Sequence, residues 1–132
     1  MGKNLSTLGE IYRYKARTKL DKGTHKYILI ELRKGSESVI FIRSKRYAEY
    51  HRDILDKFKG KLQGFRIQET DFLTVTRVEC LGGGRITFDG KKVHIYGYSK
   101  SYGHGDHDLA KKCIVEDLGI PAILIKVDFG GY

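Results

Sequence analysis

YAEYHRDILDKFKG, Tyr47 to Gly60, decides how the middle of this chain folds. Tyr47, Tyr50, Ile54, Leu55, Phe58 and, just beyond the stretch, Leu62 recur at three- and four-residue steps. That spacing gives a helix one apolar face. Arg52, Asp53, Asp56, Lys57 and Lys59 fall on the other side. At about 100° per residue, His51 projects inside the apolar arc, between Tyr47 and Leu55. A histidine there has two readings. It is a core ring with its nitrogens hydrogen-bonded, or an imidazole facing a cleft, poised near neutral pH for proton transfer. The helix alone leaves both open.

Working outward, KYILIEL (Lys26 to Leu32) and SVIFIRS (Ser38 to Ser44) are β-rich runs separated by RKGSE, which predicts a hairpin ahead of the helix. Behind it, FLTVTRVECLGGGRITFDGKKVHIYGYS alternates or runs apolar for two or three strands, with a hairpin turn at Asp89–Lys92. The glycine-rich loop KSYGHGDHD follows. Asp106 is a suitable N-cap for a second helix whose apolar set is Leu109, Ala110, Cys113, Ile114 and Leu118. Gly119 stops that helix and Pro121 follows. AILIKVDF is the last strand. The predicted fold is α+β, a mixed α/β sandwich: one sheet of about six strands with two helices packed on it, in the order ββαβββαβ.

At 132 residues the chain suits one domain, and 40% hydrophobic with 31% charged residues is ordinary for a soluble protein. No apolar run approaches a membrane span, and the first residues lack the apolar core of a secretion signal. Gly2 with Ser6 matches the short myristoylation pattern literally, but it does not read as a strong lipidation site. Cys80 and Cys113 have no partners at metal spacing, which implies buried thiols in a reducing compartment. The net charge is +9. It suits nucleic-acid binding or an enzyme for phosphorylated proteins. Much of the excess lies in Lys3, Arg13, Lys15, Arg17, Lys19, Lys22 and Lys26. Residues 1–24 therefore read as a basic N-terminal arm, solvated or anion-contacting, ahead of a domain spanning 25–132.

Three constellations carry chemistry. ECLGGGRI joins three glycines to Arg85: either a backbone nest with a guanidinium fork for an anion, or a strand bulge with a surface arginine. It lacks the lysine and Ser/Thr of a phosphate-binding P-loop. YGYSKSYGHG offers Ser99, Ser101 and backbone donors at a strand end, without the pattern of a serine nucleophile. HGDHD groups His104, Asp106, His107 and Asp108, but not at the spacing of a tight zinc site, so helix capping with surface histidines is the expected use and no metal or cofactor is called for.

Taken together, KYILI, YAEYHRDILDK, ECLGGGRI and KKVHIYGYSKSYG closely resemble the phosphohistidine phosphatase family, also called the Janus family. The match runs in order from about His25 to His107, and the chain ends in GGY where members end similarly. The resemblance implies a small, single-domain, metal-independent, cytosolic hydrolase of the phosphoramidate bond of phosphohistidine in proteins. It places the catalytic histidine at His51. It places substrate contacts at Lys26, Arg43, Arg85, Ser99, Lys100, Ser101 and His107. The residue reading agrees in kind, because phosphoryl transfer is mostly positioning and charge stabilisation, which Lys26, Arg43, Arg85 and the Ser99–Ser101 backbone supply. His51 is then a general base for water or a nucleophile, kept neutral by partial burial and nearby cations. The expected partners are phosphohistidine-containing proteins, with no membrane, and nucleic acid only through non-specific charge. Nothing demands more than a monomer. The competing reading is a non-catalytic phosphoprotein- or nucleic-acid-binding module of the same fold. It is weakened for nucleic acid by the lack of any RNP-like, helix-turn-helix or zinc pattern.

Overall fold

The β-branched runs that predict a hairpin do pair, and the sheet grows from them. The computed structural model describes residues 3–44, 50–99, 102–103 and 105–128. In chain order the strands are β1 (Lys3–Leu5), β2 (Thr18–Lys19), β3 (Gly23–Lys34), β4 (Glu37–Ser44), β5 (Phe65–Ile67), β6 (Thr70–Asp71), β7 (Arg77–Phe88), β8 (Val93–Tyr96) and β9 (Ile125–Val127). The α-helices are α1 (His51–Leu62), α2 (Phe72–Val75) and α3 (His107–Leu118). Six strands form the main sheet in the order β2-β4-β3-β7-β8-β9, and β1-β5-β6 form a small second one. The expected α+β architecture, a six-stranded sheet carrying two long helices, is what the structure has.

Strand β3 shows how the pleat divides the core. Ile28, Ile30 and Leu32 face one way, into a cluster with Ile54, Leu55, Phe58 and Leu62 of α1. Tyr27 and Leu29 face the other way, into a cluster with Ala110, Cys113 and Ile114 of α3. Successive side chains of a strand point to opposite faces, so the sheet is a middle layer with α1 on one side and α3 on the other.

The helix signals read from sequence are largely realised. Helix α1 buries His51, Ile54, Leu55, Phe58 and Leu62, one stripe at helical spacing. It begins at His51, later than the apolar pattern suggests. Tyr50 precedes it in extended conformation and is exposed, its N–H donating to the Asp53 carboxylate at 2.9 Å. Tyr47 lies outside the described residues. In α3 the Asp106 carboxylate accepts from the Leu109 N–H at 3.0 Å, and Gly119 closes the helix at φ 68°, the left-handed position that glycine fills without strain. Asp89 makes the β7–β8 turn by accepting from the N–H groups of Lys91 and Lys92.

Three expectations change. The first four residues of FLTVTRVEC form the short helix α2, not a strand, because Phe72 is fully buried against the α1 core; tertiary packing overrides its β-propensity. The last strand is only three residues long: Pro121 leads into a 3₁₀ turn over Ala122–Leu124, and Ile123 is 92% exposed. Finally, the basic N-terminal segment is not a solvated arm in the described residues 3–24. Leu5, Leu8 and Ile11 are buried in the α1 core, β1 pairs with β5, and β2 pairs with β4. Arg17 and Thr18 bind the Asp117 carboxylate of α3. The positive charges sit between those apolar anchors, which is why a count of charge reads the segment as an arm. No helix among the described residues is long and apolar enough to cross a membrane.

Candidate active site

The triple glycine places the histidines. Across β3 and β7 the register runs Leu29↔Gly82, then Ile30↔Cys80, so Leu81 is an extra residue in a bulge. Beyond it, Gly83 and Gly84 lie where no side chain fits. A Cβ on Gly83 would stand 2.3 Å from the Tyr27 carbonyl oxygen and 3.0 Å from the His51 ring. One on Gly84 would stand 2.4 Å from the Tyr96 carbonyl oxygen and 2.9 Å from the His107 ring. The run therefore serves close approach, one imidazole on each face of the sheet. It does not form an anion nest: the Gly83 N–H donates to the Gly103 carbonyl at 3.2 Å, and Gly84 lies in the strand ladder opposite Tyr27.

His51 is the first residue of α1 and is 4% exposed. Its Nε2 lies 2.8 Å from the Gly84 carbonyl oxygen. A carbonyl only accepts, so Nε2 carries the proton and, in the neutral ring, Nδ1 carries the lone pair. Burial is the main force lowering the His51 pKa below its ordinary value. The Gly84 carbonyl opposes it, and the Lys26 and Arg85 charges add to it. The positive end of the α1 dipole acts in the same direction.

Lys26 and Arg85 are direct cross-strand partners. Two residues from Ile28 and from Gly83, they share the face of the sheet that α1 covers. That puts both cations on His51's side. The Lys26 ammonium also sits 6.0 Å from the centre of the Tyr50 ring, and the Arg52 guanidinium 5.4 Å from it. Tyr50 is thus an exposed aromatic at the mouth of the site.

The loop after β8 docks beside this group. Ser99 and Gly103 exchange backbone hydrogen bonds at 2.9 and 2.8 Å, and the Ser99 hydroxyl accepts from the Tyr102 N–H. The Gly103 carbonyl accepts from both Ser99 and Gly83, tying the loop to the glycine run. Ser99 is buried and organises the loop. Lys100 and Ser101, its expected substrate contacts, lie outside the described residues, as does His104.

Two expected site residues are turned elsewhere. Arg43 is buried and gives its guanidinium to three backbone carbonyls: Ala16 at 2.6 Å, Arg17 at 3.0 Å and Ile42 at 2.8 Å. It stacks over Phe41 and Phe58, and burial lowers its pKa to about 10. His107 is the first residue of α3, 0% exposed, on the far face of the sheet. Its Nε2–H donates to the Gly97 carbonyl at 2.9 Å, and its Nδ1 is bonded to the Tyr27 hydroxyl. Burial raises the Tyr27 pKa far above its ordinary value, so the phenol keeps its proton and donates it to Nδ1. Sequence reasoning missed this Tyr27–His107 pair. The available signal was a histidine directly after an N-cap aspartate, in register with the helix's apolar set.

The arrangement can move a proton at His51 Nδ1 beside two positive charges, on an α+β scaffold that holds the ring from behind. The sequence model of the Janus/Ocnus family (Ocnus) matches residues 14–118, and the chain belongs to that family. It is 41% identical over 101 residues to the human 14 kDa phosphohistidine phosphatase, covering 70% of this chain and 74% of the relative. Against the pig protein of the same name it is 39% identical over 101 residues, covering 70% and 73%. The sex-regulated protein janus-A of Drosophila pseudoobscura pseudoobscura is 34% identical over 103 residues, covering 72% of this chain and 63% of that protein.

Proposed function

We propose that this chain is a protein histidine phosphatase that hydrolyses the phosphoramidate bond of phosphohistidine, with His51 as general base. The observation that carries the reading is the His51 ring itself: Nε2 is fixed on the Gly84 carbonyl, the other nitrogen carries a lone pair, and Lys26 and Arg85 press their charges on it. The names of the mammalian relatives support the substrate class.

In the proposed step a water between His51 Nδ1 and the phosphorus gives its proton to Nδ1 as its oxygen attacks. The P–N bond breaks, and its electron pair leaves with the substrate imidazole, which is protonated from solvent. Lys26 and Arg85 offset charge on the phosphoryl oxygens, where transfer chemistry gains most from fixed positive charge. The loop closed by Ser99 and Gly103 sets the edge of the cradle. The neutral His51 that this step needs is favoured by burial and by the same two cations. Arg43 acts in this scheme as a structural brace for β4.

The test is phosphate release from a phosphohistidine peptide in EDTA, with His51→Ala alongside. Turnover by the natural chain alone supports the assignment. Phosphate release by both proteins would remove His51 from the chemistry, and release by neither would favour a non-catalytic phosphoprotein-binding role. Label from the phosphoryl group stably attached to the chain after quenching would replace the general base with a nucleophile.

A further inference from the structure

Away from His51, a small pocket lies between β4 and the outer half of α1, lined by Arg43, Ser44, Ile54, Lys57, Phe58 and Lys61. Three of the six are cations and none is a carboxylate. Lys15 does not line it but packs on Phe58, which does, and is only 7% exposed. Its ammonium rests 4.9 Å from the centre of the Phe58 ring, and the Arg43 guanidinium lies 5.1 Å from the same ring. Two positive groups therefore share one buried aromatic.

The charges that act on Lys15 come from three elements, Arg43 on β4, Lys61 on α1 and Lys19 on β2, and all are positive. Together with burial, the largest cause, they lower the Lys15 pKa to about 8. Buried charges are ordinarily paired, and among the described residues no acidic group acts on this one. The Ser44 hydroxyl oxygen accepts from the Asp21 N–H at 3.3 Å, which leaves its O–H able to donate. Among the described residues the charges acting on His51 are Lys26 and Arg85, and neither is among those acting on Lys15.

We propose that this pocket is a second oxyanion site, which takes a phosphate-class tetrahedral anion between Lys61 and the Ser44 hydroxyl, with Lys15 acting on it from the other contact of the Phe58 ring. The anion is either free in solution or carried on a phosphorylated side chain of a protein. Its size and its aromatic floor suit one head group. An anion there supplies a counter-charge that the described residues do not, and makes the charged form of Lys15 the favoured one.

The experiment follows the Lys15 ε-methylene by NMR in selectively labelled protein, with the signal assigned by its loss in Lys15→Arg. Samples contain inorganic phosphate, or chloride at matched ionic strength. The expected result is an upward move of the Lys15 titration midpoint by about one unit in phosphate, equivalent to tenfold tighter binding to the charged form. Lys61→Ala, an exposed change, should weaken the phosphate effect about tenfold, the loss of one charge-assisted hydrogen bond. Arg85→Ala should leave it intact. That arm separates this proposal from the His51 site. Equal midpoints in chloride, in phosphate and with a phosphoserine peptide overturn it, and so does an effect abolished by Arg85→Ala. To find the source, a phosphoserine peptide and its unphosphorylated form are added separately. A shift with free phosphate marks a soluble ion, and a shift with the phosphopeptide alone marks a protein-borne group. A shift seen only with a long oligonucleotide overturns the small-anion site.

Discussion

His51 and His107 are built alike. Each is the first residue of a twelve-residue helix, each is almost wholly buried, and each donates Nε2–H to a backbone carbonyl, of Gly84 and Gly97 respectively. Each ring also packs on one glycine of the same pair, His51 on Gly83 and His107 on Gly84. What differs is the second nitrogen. Tyr27 fills that of His107. His51 instead has Lys26 and Arg85 beside it. On the proposed reading one is a core residue and the other a reactive one, and the partner of Nδ1 is what separates the two.

The largest expected effect tests that separation directly. His51→Ala should lower kcat by about 10²–10⁴-fold, the usual share of a positioned general base. Its stability should fall by only ~1–3 kcal/mol, because the Gly84 carbonyl loses a buried donor. His107→Ala should do the reverse. It loses two buried hydrogen bonds and leaves a cavity, at a cost of ~2–4 kcal/mol, while turnover per folded molecule should drop less than tenfold. Equal kinetic losses from the two substitutions would break the comparison. Urea titrations and single-turnover kinetics on the same samples give both numbers.

Next come the glycines that let both rings approach. Gly83→Ala and Gly84→Ala each drive a methyl into a backbone carbonyl of the neighbouring strand, at 2.3 and 2.4 Å. Neither carbonyl can swing away without breaking the ladder. We expect each to cost at least ~3 kcal/mol, the severe end of overpacking. Denaturation midpoints near that of the natural chain for either variant would show that the sheet can yield here and that the rings are not held by close approach.

These glycines also mark how far the sequence could be read. Periodicity located both long helices, Asp106 and Gly119 gave the ends of α3, and the Asp89 turn was plain, because each depends on neighbours a few residues apart. His51 stood out for the same reason: it interrupts a periodic apolar face. The Gly83–Gly84 run was visible as an unusual feature, but sequence left it between an anion nest and a bulge. Only the facing strand decides that, since the colliding atoms belong to Tyr27 and Tyr96. The Tyr27–His107 bond joins residues 80 apart, and no local pattern announces it. Lys15 misled in the opposite direction. As one of many basic residues near the N-terminus it reads as solvated, whereas Leu8 and Ile11 carry its segment into the core.

A smaller effect isolates the far-side histidine. Tyr27→Phe keeps the ring but removes the hydroxyl, leaving His107 Nδ1 buried with one donor fewer, at ~1–2 kcal/mol. The phenol also has a pH signature. Its folded pKa is raised above the ordinary 10.0, so in alkali the unfolded chain gives up this proton first. The stability it contributes is complete below pH 10 and is lost as pH rises beyond it. Tyr27→Phe should therefore lose less stability between pH 9 and 11 than the natural chain does. Parallel curves would mean that the phenol is not held in its neutral form by burial.

The finest distinction is electrostatic, and it concerns the near-side histidine alone. His51 has a lowered folded pKa against an unfolded value near 6.5. Folding therefore favours the neutral ring. The stability this contributes is complete above about pH 6.5 and is lost as pH falls through the folded value. With His51 as the proposed general base, the acid limb of kcat/KM should accordingly have its midpoint below 6.5, and the base would stay competent in mildly acidic solution. Burial is the leading cause and the two cations are lesser ones, so removing one cation should move the His51 midpoint upward by a fraction of a unit, not restore it fully. Ring-proton NMR on substrate-free Lys26→Gln and Arg85→Gln reads this without interference from substrate binding. Tyr27→Phe, on the other face of the sheet, serves as the control and should leave the midpoint where it is. If the control moved it as far as the cation variants did, the sheet would be transmitting charge or strain between the two histidines, and their separate treatment would fail. If neither cation variant moved it, Lys26 and Arg85 would be too well solvated to act on His51, and their place around a bound phosphoryl group would lose its main physical support.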